Sequence, residues 1–275
     1  MTDTAFNAIG RRDRAIVIAA IITISLLAWA YTLWLAVQMG GIETLAPLAS
    51  SVSMAEIGMD GMNAAPSPAF RPSSISNIAF IATMWAVMMV AMMTPSVTVM
   101  VVLHAAVARK AAASSRPLIA IGWFLAGYLS AWIVFSFSAC GAQWILTRLG
   151  LLTSTGVSGT FGGVVLIGAG LYQWSSLKDI CLKQCQKPFD FLVRHGGIRL
   201  EPLGALRLGA VHGLYCVGCC WVLMALLFVG GIMNVLWIAG ITVLIVVEKA
   251  APNGSLIPRI TGALMVAAGL LLLAS

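Results

Sequence analysis

From Leu208 to Val247 the chain runs for 40 residues without a Lys, Arg, Asp or Glu. That is about twice the ~20 apolar residues that carry one helix across a bilayer, so the run predicts two crossings. Gly230-Gly231 sits near its middle and is the natural turn. Apolar windows also occur at about 15–37, 77–103, 118–139, 156–175 and 258–274, the second inside a run free of charge from Pro72 to Ala108 and the last holding Arg259 at its start. The expected fold is an all-α, polytopic transmembrane helical bundle of about seven spans. Composition agrees, with 60% hydrophobic and only 9% charged residues, against about 25% charged in soluble domains.

Arg11, Arg12 and Arg14 precede the apolar run Ala15–Val37, which is too long for a signal-peptide core and lacks a clear cleavage site. It reads as an uncleaved first span. With the amino terminus cytoplasmic, the inner loops carry Arg11, Arg12, Arg14, Arg109, Lys110, Arg116, Lys178, Lys183, Lys187, Arg194, Arg199, Arg207, Lys249 and Arg259. The outside then keeps only Arg71 and Arg148. This is the bias that orients membrane proteins, and it accounts for the net charge of +7 without nucleic acid. The organisation reads as residues 1–76, a first span and a Met-containing outer loop; 77–252, a metal-binding membrane core; and 253–275, a carboxyl-terminal span.

Five of the six cysteines fall in two short stretches, a pattern of ligands or thiols rather than of the staples of a small secreted domain. In the first half of the uncharged run, Cys216 lies about 40° from His212 around a helix, Cys219 about 20° to the other side and Cys220 about 80° away. Soft thiolate and imidazole groups on one face suit Cu(I), with zinc ranking second. The plainer alternative is that cysteine packs as a small apolar residue between helices. By helical rise His212 stands about 10 Å nearer the cytoplasm than Cys219, which suggests an exit step rather than a shared coordination sphere.

The second span carries Met84, Met88 and Met92 in one i, i+4 stripe and Met89, Met93, Met100 and His104 in another, with Pro95 between. Met88, Met89, Met92 and Met93 are candidate thioether ligands, at the depth of Cys216, Cys219 and Cys220 if the two helices are neighbours. Such stripes also serve as core filler. His104 reads as an interfacial side chain, and the outer loop at about 38–76 with Met54, Met59 and Met62 as an ordinary flexible segment, capture of soft cations by its thioethers being the alternative. The loop at about 176–206 carries Cys181 and Cys185, an i, i+4 pair able to chelate a two-coordinate ion. Lys178, Lys183 and Lys187 beside them favour thiolate. Asn234 calls for a partner within the membrane, and Glu248 with Lys249 reads as a neutralised pair near the inner face.

In order, the chain holds Met84-Trp85-x-x-Met88-Met89-x-Ala91-Met92-Met93-x-Pro95, then Leu177-Lys178-x-x-Cys181-x-x-x-Cys185-x-x-Pro188. There follow His212-Gly213-x-Tyr215-Cys216-x-Gly218-Cys219-Cys220-Trp221, Gly231-x-Met233-Asn234 and Glu248-Lys249. Over about residues 78–252 this resembles the family of predicted metal-binding integral membrane proteins of unknown function, often labelled copper chaperones. The resemblance implies copper handling in a bacterial inner membrane. It implies metal roles for His212, Cys216, Cys219, Cys220, Cys181, Cys185 and the second-span methionines, with Gly213 and Gly218 letting another helix approach.

The expected function is a non-enzymatic, multi-pass Cu(I)-binding protein that transports copper or delivers it to a cuproenzyme. Its partners would be the lipid bilayer and a cuproenzyme or soluble copper carrier, with no nucleic acid and room for an oligomer. No GxxxxGK[ST] phosphate loop is present to drive transport. The alternatives are a membrane thiol-disulfide oxidoreductase and a structural subunit of a membrane complex.

Overall fold

The structure, a computed structural model, describes residues 11–38, 75–111, 117–153, 156–157, 159–197, 201–251 and 256–274. Met54, Met59 and Met62 lie outside the described residues. The elements are α1 (Arg11–Gln38), α2 (Ile75–Ala111), α3 (Pro117–Arg148), β1 (Leu152–Thr153), β2 (Gly156–Val157) and α4 (Gly159–Gln173). They continue with α5 (Ser176–Gln186), α6 (Pro188–Arg194), α7 (Pro202–Val229), α8 (Val235–Ala250) and α9 (Leu256–Ala274).

Among the described residues five helices, α1, α2, α3, α7 and α9, are long and apolar enough to cross a membrane. The windows expected at 156–175 and in the second half of 208–247 form α4 and α8, of 15 and 16 residues. At 1.5 Å per residue these are about 22–24 Å long, short of a ~30 Å hydrocarbon layer. The expected turn lies where the sequence put it. Gly230 caps α7, Gly231 takes φ 90°, and the Asn234 side chain caps α8 by accepting from the Trp237 N–H at 3.2 Å. Asn234 thus finds its partner as a helix cap, worth about 1 kcal/mol.

α7 is the central helix. It packs along α3 and also meets α4, α5 and α8, while α1 lies on α2 and α9 on α4. Close approach of α3 and α7 needs glycine on both. A Cβ at Gly127 would overlap the Leu206 carbonyl, and one at Gly209 the Phe124 carbonyl. One at Gly213 would come within 2.7 Å of the Ala131 Cβ. α2 and α7 make no extended backbone contact, each packing instead on α3 and α8. The space between them is filled by their side chains. α2 continues through Pro95, with the Thr94 and Ser96 hydroxyls bonding the Val90 and Met93 carbonyls beside the ring.

Candidate metal site

On α7, His212, Cys216, Cys219 and Cys220 are all buried. The Cys219 and Cys220 thiols each donate back to the Cys216 carbonyl, at 3.1 and 2.9 Å. These i−3 and i−4 bonds turn both sulfurs along the helix toward the level of Cys216.

Cys181 and Cys185 do not lie on a loop apart from the cysteines of α7. Residues 176–186 form α5, whose inward stripe is Lys178, Cys181, Leu182 and Cys185, and this stripe packs on α7. Cys185 Sγ lies 4.0 Å from Cys219 Sγ. Cys181 fills the notch left by Gly218, where a Cβ would stand 2.8 Å from its sulfur. The Tyr172 hydroxyl donates to the Gly218 carbonyl and closes the same seam. Five cysteines from two helices therefore gather in one place. The Ser175 side chain starts α5 by accepting from the Lys178 N–H at 3.2 Å. Lys183 bonds Asp179 at 2.6 Å on the exposed face.

Lysines do not activate these thiols as expected. Lys178 and Lys183 are engaged with carboxylates. The neighbouring Cys216 and then Cys219 sulfurs, with burial added, hold the Cys185 thiol well above its usual range. Burial, then Cys219, pushes Cys181 up.

Cys216 is the meeting point of four helices. Its sulfur lies 3.1 Å from the Tyr128 hydroxyl of α3 and 2.9 Å from the Lys249 Nζ of α8. The same hydroxyl donates to the Met93 carbonyl of α2 at 3.3 Å, and Lys249 also donates to Ser96 Oγ of α2 at 3.1 Å. Sequence reasoning missed Tyr128, for which spacing gives no signal. It assigned Lys249 to Glu248 instead. Neighbouring helical side chains point about 100° apart, and the structure separates the two. Glu248 Oε2 accepts from Lys178 at 2.7 Å and its Oε1 from Gln173 Nε2 at 2.9 Å, while Lys249 turns to Cys216. Gln186 Nε2 donates to the Glu248 carbonyl at 2.8 Å, tying α5 to α8 a second time.

Met88, Met89, Met92 and Met93 are buried in the same core as the cysteines, with Met84 and Met100. The depth alignment of α2 and α7 holds. Trp85 meets Phe228 with ring centroids 5.2 Å apart, and Met93 stands at the level of Cys216 through Tyr128. His104 and His212 both face Phe124, with centroids 4.9 and 6.0 Å from it. His104 is therefore buried inside the bundle at the level of His212. Both of its nitrogens and His212 Nδ1 lack a hydrogen-bond partner. His195 ends α6 and packs on Phe191 and Tyr215.

Two sulfurs 4.0 Å apart can both reach a point about 2.3 Å away, the usual thiolate bond to a d¹⁰ cation. Cys185 and Cys219 thus fit a two-coordinate soft ion, with Cys216 beside them. As the side chains stand, no three His, Cys, Asp or Glu groups among the described residues are disposed to hold one metal ion. The arrangement suits low coordination number better than a closed structural site.

Residues 82–272 match the PpoB2 family model, described as copper chaperone, a match running from α2 through α9. No curated protein and no solved structure matches the chain.

Proposed function

Because the chain belongs to the PpoB2 copper chaperone family, we propose that it binds Cu(I) as cargo inside a membrane bundle. It moves the ion into or through the bilayer, or hands it to a cuproenzyme or soluble carrier. The observation that carries this reading is the approach of Cys185 to Cys219 at 4.0 Å from two different helices. Thiolates stabilise Cu(I), and low coordination number leaves room for an incoming ligand during transfer. Cys216 and Cys220 extend the thiol surface, Cys181 supports it, and the thioethers of Met88, Met89, Met92 and Met93 form the approach from α2. His212, one turn from Cys216, receives the ion next. The chain works without covalent chemistry, in a bacterial inner membrane, with its amino terminus and its Lys- and Arg-rich loops inside.

Metal analysis of purified protein loaded with Cu(I) tests the reading. Wild type retains copper, and Cys216→Ser with Cys219→Ser loses it. Unchanged stoichiometry in the double variant overturns the assignment. The 4.0 Å pair also supports a second reading, thiol exchange. There the Cys185 thiolate attacks a substrate disulfide, and Cys219 resolves the mixed disulfide, releasing the substrate dithiol and leaving Cys185–Cys219 oxidised. A reversible Cys185–Cys219 disulfide in trapped cells, without bound copper, would favour it.

A further inference from the structure

Among the described residues, Lys249 is the cation that bonds a cysteine sulfur: its Nζ lies 2.9 Å from Cys216 Sγ. Its position is built in. Glu248, the preceding residue, is held by Lys178 of α5 at 2.7 Å and by Gln173 of α4 at 2.9 Å. With Glu248 fixed, the 100° step along α8 directs Lys249 to the other side, against α2 and α7. Its second partner is Ser96 Oγ, 3.1 Å away on α2. The same α5 that carries Cys185 thus sets the rotation of the helix that carries Lys249.

We propose that the Lys249 ammonium is a resident competitor for the cargo. It occupies the cation-accepting side of Cys216 in the metal-free protein, withdraws toward Ser96 when Cu(I) arrives, and keeps the loaded site weak enough to release its ion. The inference rests on the copper-cargo reading above.

A Cu(I) ion bonded to Cys216 at about 2.3 Å would lie no more than about 5 Å from an ammonium that keeps its contact with the sulfur. Two positive charges at that separation, at the effective dielectric of a protein interior, repel enough to lower affinity by about two orders of magnitude. The flexible four-carbon stem lets the ammonium retreat and recover part of that loss. A tightly closed thiolate site would be a store. One shared with a tethered cation is an exchanger.

Full-length protein with Lys249→Gln or Lys249→Arg is to be titrated with Cu(I) against a chromophoric Cu(I) chelator, and release to excess chelator timed. Lys249→Gln should bind at least about tenfold tighter and release correspondingly more slowly, and Lys249→Arg should stay near wild type. A lysine needed for packing, or for thiolate formation, would give the opposite sign. Equal or weaker affinity of a folded Lys249→Gln, at wild-type stoichiometry, overturns the proposal. If Lys249→Gln does not fold, Lys249→Met, an uncharged side chain of similar length, decides: it too should bind Cu(I) at least about tenfold tighter, and equal or weaker affinity overturns the proposal. A wild type that binds no Cu(I) refutes the copper reading itself, a separate result.

Discussion

Lys178→Met should release α5 from the bundle. The Lys178–Glu248 pair is 2.7 Å long, and its side chains are only 1% and 3% exposed. Removing one partner of such a pair costs about 3–5 kcal/mol, because the remaining charge stays buried. Here the Glu248 carboxylate keeps the Gln173 Nε2 donor at 2.9 Å, so the cost should fall at the lower end, about 3 kcal/mol. At about 1.4 kcal/mol per tenfold, opening of α5 away from α7 becomes roughly 150-fold more frequent. Cys185, on the opened face, reports this directly through its rate of maleimide labelling, followed by mass spectrometry under native conditions. Adding Glu248→Gln to Lys178→Met removes the stranded charge and leaves an amide that can still accept from Gln173. The double variant should recover to within about 1 kcal/mol of wild type, the usual behaviour when both partners of a buried pair are neutralised. Labelling of Lys178→Met at the wild-type rate would refute the pin. So would a double variant labelled as fast as the single.

Three further outcomes follow from particular contacts. Gly218→Ala brings a Cβ to 2.8 Å from Cys181 Sγ, so it should destabilise the α5–α7 seam by about 1–3 kcal/mol and weaken Cu(I) binding, read by chelator competition. His104→Phe keeps the stack on Phe124 and removes two buried nitrogens that lack partners. It should stabilise the protein by about 1–3 kcal/mol, seen as a rise in Tm. With the Cys185 thiol held above its usual range by the neighbouring Cys216 and Cys219 sulfurs, Cu(I) must displace a proton there. Apparent affinity should therefore rise with pH, by up to about tenfold per unit for each proton released, until the thiol titrates. A flat profile between pH 6 and 8 would place the ion elsewhere.

The architecture was legible where physics leaves little choice. Uncharged runs became helices and the Gly230-Gly231 break became the turn, while Gly213 and Gly218, marked by the family resemblance, became points of close approach. Even the matched depth of Met93 and Cys216 could be read by counting residues from span ends. The site was less legible because its partners are far apart in sequence. Cys185 and Cys219 meet only because a short amphipathic helix folds back on α7, and hydropathy treats 176–206 as a loop. Glu248 and Lys249 look self-neutralising in one dimension. On a helix they diverge, one to Lys178 and the other to Cys216. Tyr128 sits in an apolar span, and no motif marks it.

The central claim is that the cysteines of α5 and α7 form one copper site. It is tested by the Cu(I) affinities of Cys185→Ser, Cys219→Ser and the double variant, measured by chelator competition. Groups that share an ion couple strongly, so the double variant should bind no more weakly than the weaker single, within about 0.5 kcal/mol. Losses that add in full would contradict the claim and return Cys185 to a station of its own.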